Sequence, residues 1–242
     1  MTLGLALAVA PAAPAAAATI GFEAPRYTVG SPPPSPPWYG NLGDAQVVDT
    51  VFHSGTQSLA VGDGITGLEV ALYFAEAPRG AASLFVRPST DIAGANFLQV
   101  ANIDLGRMGS LAARVSFQLN DNNFTFGNPG ADAWQLLWSA GGNGGVVPFQ
   151  PGGWLQVDFS WDVASSPVGQ VSLHVVGAGV DVAGSGNFNF GGSPPMELRL
   201  GGGGVSTGHA YYDDLTLAVP EPGSLALSAL PLLLSILRRR RA

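Results

Sequence analysis

The carboxylates and histidines are the side chains of this sequence that could carry out catalysis. Asp158 and Asp162 lie four residues apart in an alternating segment, so they would share one face of a strand. No third acid follows them, whereas retaining glycoside hydrolysis needs an acid and a nucleophile about 5–5.5 Å apart. This pair therefore does not predict a hydrolytic site.

The histidines do not change that interpretation. His53, His174 and His209 are isolated from one another, and none lies in the Gly-x-Ser-x-Gly context of an activated serine. No histidines stand three or four residues apart as metal ligands do, and the chain contains no cysteine. We therefore predict that the protein is not an enzyme.

Aromatic side chains offer a different chemistry, because their faces can cover the apolar side of a sugar ring. Trp38 and Tyr39 follow the proline-rich run at 31–37, and we expect this pair to be exposed as a ligand contact. Trp161 alternates with apolar neighbours and is predicted to lie in the core. Trp134 and Trp138 would share one face of a strand and pack inward.

These side chains must be positioned by strands. Short segments rich in β-branched and aromatic residues, bounded by Gly, Pro, Asn or Asp, are typical of β-structure. The predicted strands are 47–52, 58–61, 68–74, 83–87, 97–105, 112–119, 134–139, 154–161, 170–176, 196–200 and 211–218. No helix of twelve or more residues is expected within 25–215. The glycine-rich stretch 141–145 predicts a loop. This pattern predicts an all-β fold, an antiparallel two-sheet β-sandwich of the jelly-roll type.

Two segments carry a family resemblance. The run from Trp154 to Asp162, followed by 170–177, resembles the central hairpin of concanavalin-A-like and laminin-G-like domains. The outer segments, with Phe22-Glu23, 54–59 and 212–217, resemble jelly-roll carbohydrate-binding modules. Laminarinase-type relatives of this fold carry Glu-x-Asp-x-x-Glu on one strand, which this sequence lacks.

A metal prediction follows from the last strand. Tyr211, Asp213, Leu215 and Leu217 would share a core-facing side, so the Asp213 carboxylate would need a partner. Ca²⁺ prefers oxygen ligands and could neutralise it; a salt bridge or loop amides are the alternatives. In jelly-roll carbohydrate-binding modules, the resemblance implies, a first-strand Glu and a last-strand Asp share a structural calcium. Glu23 and Asp213 match those positions.

The C-terminus carries a second resemblance. Pro220, Glu221 and Pro222 precede an apolar run of thirteen residues, 225–237, and the chain ends on Arg238, Arg239, Arg240 and Arg241 before Ala242. A membrane span needs about 20 apolar residues, so this run predicts transient contact. The three parts resemble the PEP-CTERM sorting signal of Gram-negative bacteria. The resemblance implies recognition by an exosortase-type protease and delivery to the cell surface or extracellular matrix.

The N-terminus agrees with export. An apolar stretch at 3–10 and the small residues at 15–18 are typical of a signal peptide, with Thr19 as the expected mature start. We therefore divide the chain into a signal peptide (1–18), a β-sandwich domain (19–219) and a sorting signal (220–242).

The net charge of the predicted domain limits the partners that it can bind. Six of the ten basic residues and sixteen of the seventeen acids lie within 19–219, a net charge of −10. Nucleic acid and anionic membrane require a basic surface, so both are excluded as partners of this domain. We predict an exported surface or matrix protein with a structural or adhesive role. A module binding exopolysaccharide is the alternative, and a glycan-active hydrolase is the weakest candidate.

Overall fold

The chain folds as a β-sandwich in a computed structural model that describes residues 17–62, 69–90, 97–120, 133–163, 168–202 and 210–219. These residues form fifteen strands and one 3-10 turn, Leu42–Asp44. The strands are β1 (Ala17–Ile20), β2 (Trp38–Gly40), β3 (Ala45–Val48), β4 (Ser58–Val61), β5 (Glu69–Tyr73), β6 (Arg79–Pro88), β7 (Phe97–Arg107), β8 (Ser110–Asn120), β9 (Ala133–Ala140), β10 (Asn143–Pro148), β11 (Leu155–Asp162), β12 (Gly169–Gly177), β13 (Val180–Phe188), β14 (Glu197–Gly202) and β15 (Ala210–Ala218).

Two antiparallel sheets make up the sandwich. The eight-stranded sheet runs β13-β12-β11-β6-β15-β4-β3, with β1 paired to β15 beside this path. The seven-stranded sheet runs β10-β9-β8-β7-β14-β5-β2. The predicted fold class is confirmed, all eleven predicted strands are present, and the described residues contain no helix longer than the 3-10 turn.

Alternation along the strands builds the core between the sheets. In β11, Leu155, Val157, Phe159 and Trp161 are buried, while Ser160 between them is exposed. Trp134 and Trp138 are partly buried and pack against this core, as predicted. Inward faces are therefore apolar, and polar side chains remain on the two outer faces.

Four strands were not predicted, and glycine explains two of them. The 141–145 stretch is a tight hairpin, because Gly141 and Gly142 have φ of 56° and 89° and β10 begins at Asn143. Two consecutive positive φ values are typical of a two-residue hairpin turn. In β13, a Cβ at Gly184 would lie 2.0 Å from the Trp138 ring. Glycine at this position makes room for the Trp138 ring. Because glycine has a low strand propensity, the sequence did not predict β13.

The two chain ends of the domain lie side by side. Ala17 pairs with Ala218 and Ile20 with Leu215, so β1 lies along β15. Most of the predicted signal peptide and the whole sorting segment, with Pro220, Glu221, Pro222, Arg238, Arg239, Arg240 and Arg241, fall outside the described residues. Among the described residues, no helix has the length and apolar character needed to cross a bilayer.

Tyr212 connects the two sheets through the core. Its side chain is 1% exposed, and its hydroxyl lies 2.6 Å from the Gly201 carbonyl oxygen and 3.0 Å from that of Asn102. Burial raises the pKa of Tyr212 well above its ordinary value. A neutral phenol on β15 is therefore fixed to β7 and β14, directly beneath the outer face of the seven-stranded sheet.

Candidate functional site

The outer face of the seven-stranded sheet carries a concentration of polar side chains, which we call the polar face. It comprises Glu69, Asn102, Asp104, Arg114, Ser116, Gln118, Glu197 and Arg199. These alternate with core residues such as Ile103, Leu105 and Val115. The period-2 geometry of the strands therefore places all of them on one side of the sheet.

One row of paired residues crosses all seven strands. Tyr39 pairs with Ala71, Ala71 with Arg199, and Arg199 with Asp104. Asp104 pairs with Arg114, and the row continues through Ser139 and Gly144 at the far edge. Six spacings of about 4.8 Å make the row roughly 29 Å long. Such a length suits an extended ligand more than a single small molecule.

Asp104 and Arg114 form the central pair of this row. The carboxylate accepts hydrogen bonds of 2.7 and 2.6 Å from Nε and from a terminal nitrogen of the guanidinium. Asp104 is 1% exposed at its side chain and Arg114 is 40% exposed. The hydrogen bonds to Asp104 raise the pKa of Arg114. The buried charge is thus neutralised, while the cation reaches solvent.

Arg199 forms a second charged group beside the first. It donates a 2.8 Å hydrogen bond to Glu197 and lies 3.5 Å from the Glu69 carboxylate. Burial lowers the pKa of Arg199, but the carboxylates of Glu197 and Glu69 raise it by more than burial lowers it. The pKa is therefore above its ordinary value. Asn102 donates to Glu69 at 2.9 Å. Gly201 makes room for Asn102, because a Cβ there would lie 1.8 Å from the amide oxygen.

Glu197 is almost completely buried at 1% exposure. Its Oε1 accepts from Arg199 and from the Gly109 amide at 3.1 Å. Within the described residues, its Oε2 has no hydrogen-bond partner. One acceptor at this edge of the polar face is therefore unused by the described chain.

The two ends of the row differ in character. Beyond Arg114, a hollow of about 330 Å³ is lined by Ser116, Gln118, Leu137 and Val146 among others. At the opposite edge, Tyr39 and Tyr73 are 44% and 38% exposed, and their rings meet edge to face at 5.1 Å. The polar face therefore runs from an exposed aromatic pair, over two arginine–carboxylate groups, to a partly apolar hollow.

The predicted aromatic site is corrected by this geometry. The expected exposure is confirmed for Tyr39 but wrong for Trp38, which is 0% exposed. Trp38 lies on the inward side of β2, where its indole nitrogen donates to the Tyr27 hydroxyl at 3.3 Å. Neighbouring residues of a strand point to opposite faces, so the two could not both be exposed. The exposed partner of Tyr39 is Tyr73.

The predicted orientation of Asp213 is wrong. The register shifts between Asp213 and Thr216, and Asp214 has a φ of 48°, so β15 contains a bulge. The extra residue changes which side chains share a face. Tyr212, Leu215 and Leu217 point into the core, whereas Asp213 pairs with the outward Phe85. The predicted burial of Asp213 is confirmed, because it is 0% exposed.

The predicted place of Glu23 in the first strand is wrong, because β1 ends at Ile20, but Asp213 and Glu23 are nevertheless brought to the same loop. Asp213 accepts hydrogen bonds from the amides of His53 (2.8 Å), Ser54 (3.2 Å) and Asp214 (2.8 Å). Burial raises its pKa, and these amides oppose the increase. Glu23 accepts from the amides of Thr56 and Gln57 at 2.8 and 3.0 Å, and from the Thr56 hydroxyl at 2.7 Å. The Thr56 amide is the main reason why the pKa of Glu23 is lowered.

The other acids and histidines named from the sequence do not form one site, although His174 lies 4.0 Å from Asp158. Asp158 accepts from Gln156 at 2.9 Å, and Asp162 pairs with Arg79 at 2.9 Å. His174 lies 3.0 Å from Asp181, beside a hollow of about 690 Å³ on the outer face of the eight-stranded sheet. His209 falls outside the described residues. Within the part of the chain that the structure describes, no group of three or more His, Asp or Glu could hold a metal.

The polar face was missed by sequence reasoning. Its residues are scattered from Glu69 to Arg199, and only strand order and register bring them together. The sequence offered one signal: Asp104 and Arg114 each occupy an outward position of a predicted strand, 97–105 and 112–119. Their pairing could not be read without knowing that β7 and β8 form a hairpin.

Comparisons with known proteins give similarity of overall structure only. No protein-family model and no curated protein matches the chain. Among solved structures, a PL-14 alginate lyase from Aplysia kurodai is 9% identical with a TM-score of 0.48, covering 81% of this chain and 99% of that one. Lectin II from Ulex europaeus is 11% identical with a TM-score of 0.42, covering 76% and 95%. An endo-beta-1,4-glucuronan lyase from Trichoderma reesei is 12% identical with a TM-score of 0.43, covering 72% and 86%. These are lectin and lyase β-sandwiches, and at this level they do not place the chain in a family.

Proposed function

We propose that this protein is an exported glycan-binding module that attaches to extracellular polysaccharide through its polar face. The observation that carries the proposal is the row from Tyr39 to Ser139, which combines an exposed aromatic edge with two arginine–carboxylate groups. Sugar recognition uses this combination, because aromatic faces cover apolar ring surfaces while charged and amide groups bind hydroxyls.

The polar face is organised in advance of binding. Asp104 is fixed by two hydrogen bonds from Arg114, and Glu69 is fixed by Asn102. Side chains already held by neighbours lose little freedom on binding, so less affinity is lost to ordering. An extended hydroxyl-rich chain is the ligand that fits such a surface.

A glycan array probed with the purified domain, residues 19–219, tests the proposal. We expect binding that weakens about tenfold in Tyr39→Ala and in the double variant Asp104→Asn/Arg114→Gln, equivalent to about 1.4 kcal/mol each. The double variant removes both charges together and leaves neither buried alone. Arg79→Gln on the other sheet is the matched control, because its exposed ion pair with Asp162 lies away from the polar face.

Two outcomes would contradict the proposal. One is an array without any bound glycan. The other is binding that Arg79→Gln reduces as much as the polar-face variants do, which would indicate general charge effects.

We propose binding without turnover. The support is that Asp158 and Asp162 have separate partners and that Asp104 is tied to Arg114. The domain should release no reducing ends and no unsaturated products from the polysaccharides it binds. Time-dependent appearance of either product would make it an enzyme.

We also propose surface delivery through the C-terminal tail, with a structural or adhesive role once exported. The support is the order of Pro220-Glu221-Pro222, the apolar run and the four arginines. An exosortase-type protease would be the partner, with transient membrane contact by the tail. In a host with that protease, the intact mass of the surface protein should correspond to a start near Thr19 and loss of the tail. A surface species retaining Arg238 to Arg241 would exclude this route.

A structural calcium at Glu23 and Asp213 remains part of the proposal. The support is that both carboxylates converge on loop 53–57, although the residues lie 190 positions apart in the sequence. The hydrogen bonds of each carboxylate occupy three of about four acceptor positions, so each retains one for a cation. Such a cation would neutralise the two acids and tie the first and last segments of the domain together.

A further inference from the structure

Arg87 lies near the end of β6, on the outer face of the eight-stranded sheet. It is half-buried, on the same side of the strand as Phe85. Arg79, Arg107, Arg114 and Arg199 all form ion pairs, and Arg26 lies over the Tyr27 ring. Among the described residues, Arg87 has no such partner. A partly buried arginine without a counter-charge leaves its donors available to an anion, so this site favours one.

Aromatic residues occupy the strand positions on both sides of Arg87. Tyr211 on β15 is the direct cross-strand partner of Arg87. On the other side, Leu155 pairs with Val86, and this register brings the preceding residue, Trp154, alongside Arg87. The His53 ring stacks on Phe85 at 3.6 Å and meets Trp154 edge to face at 5.5 Å. Register therefore places Tyr211 and Trp154 beside Arg87 on its two neighbouring strands, and His53 lies against Phe85 and Trp154 next to them.

The two acids that follow Tyr211 and Tyr212 on β15 are already engaged. Asp213 accepts the amides of His53 and Ser54. Asp214 lies 2.8 Å from the His53 ring nitrogen and accepts the Ser54 hydroxyl at 2.6 Å. Both carboxylates are therefore held by loop 53–54, and neither forms an ion pair with Arg87.

We propose that Arg87, Trp154 and Tyr211 form a binding site for an acidic sugar, in which a pyranose ring carries an oxyanion. A uronate matches both kinds of group in the site: its carboxylate fits the planar guanidinium in a bidentate contact, and its ring covers an aromatic face. This site is on the opposite sheet from the polar face and does not rest on it.

The test is calorimetric titration of the full-length protein with a hexamer of galacturonic acid and with the same hexamer reduced at its carboxyl groups. We expect the acidic hexamer to bind, and the reduced hexamer to bind at least about tenfold more weakly, as loss of charged hydrogen bonds implies. A sulfated neutral hexamer forms a third arm. Binding of that hexamer with the same dependence on Arg87 would extend the site from carboxylates to sulfates.

Matched variants identify the residues. Arg87→Gln and Trp154→Ala should each weaken binding of the acidic hexamer about tenfold or more. Arg79→Gln is the control, because it removes the same charge from the same outer face of the same strand. It should change the affinity by less than about twofold, as expected for an exposed pair. Arg87→Lys keeps the charge without the planar fork and should fall between wild type and Arg87→Gln.

Several results would overturn the site. These are equal affinity for the acidic and reduced hexamers, no binding of either acidic hexamer, or equal weakening by Arg79→Gln. Thermal unfolding of each variant verifies that the fold is intact. Because Asp104→Asn/Arg114→Gln should leave the Arg87-dependent binding unchanged, failure here is distinguishable from failure of the polar face.

Discussion

Asp104 and Arg114 face each other across β7 and β8, joined by hydrogen bonds of 2.7 and 2.6 Å. The carboxylate is sealed from solvent and the guanidinium is not. The two side chains thus form a fixed ion pair at the centre of the polar face. Its energetics determine how that face can be altered without losing the fold.

Removing only the cation should destabilise the protein. Arg114→Ala leaves Asp104 buried without its counter-charge, which costs about 3 kcal/mol, the lower end for a broken buried pair because the arginine is partly exposed. Urea denaturation measures this as a lower midpoint at unchanged slope. Asp104→Asn/Arg114→Gln should recover more than half of the loss. Equal destabilisation by the single and double variants would contradict the argument.

The Tyr212 hydroxyl should contribute measurably to stability. Tyr212→Phe keeps the ring in the core but removes the hydrogen bonds to the Asn102 and Gly201 carbonyls. We expect a loss of about 1–2 kcal/mol in the free energy of unfolding, the usual cost of leaving buried acceptors unpaired. Tyr73→Phe is the control, because that side chain is 38% exposed. A loss in the control as large as in Tyr212→Phe would mean that the hydroxyl contacts are not the cause.

Glu23 should make stability depend on pH. Its pKa is lowered below the ordinary value of 4.5, because the folded state stabilises the carboxylate with the Thr56 and Gln57 amides. That contribution is complete above the unfolded value and is lost as the pH falls through the lower, folded value. The difference in unfolding midpoint between wild type and Glu23→Gln should therefore be largest near neutral pH and shrink below about pH 4.5. A difference that stays constant with pH would exclude ionisation of Glu23 as its source.

Calcium should raise the melting temperature if it binds Glu23 and Asp213 in the native state only. We expect a higher midpoint with calcium than with chelator, and no response in Asp213→Ala. Asp181→Ala, at an acid on the edge strand β13 whose side chain is 80% exposed, should respond as wild type does. Identical wild-type midpoints, or an Asp213→Ala variant that still responds, would remove the site.

The sequence alone predicted the fold class and eleven of the fifteen described strands. Alternation in segments such as β11 assigns inward and outward faces locally, so the strands and the sandwich class could be predicted without tertiary information. Strand propensity missed β13 because of a contact with another strand. Position 184 carries glycine, a residue rare in strands, because the Trp138 ring occupies the space that a side chain would need.

The arrangement of the candidate site residues, by contrast, depended on which strands pair and in which register. A single bulge in β15 reversed the expected orientation of Asp213, and burial of Trp38 left Tyr39 to pair with Tyr73. Asp104 pairs with Arg114 because β7 and β8 are neighbours in this register. Arg87 lies between Trp154 and Tyr211 for the same reason, because β6 lies between β11 and β15. The period of a strand is a local property, readable in the chain. The partner across the sheet is a long-range property, and only the tertiary structure determined it.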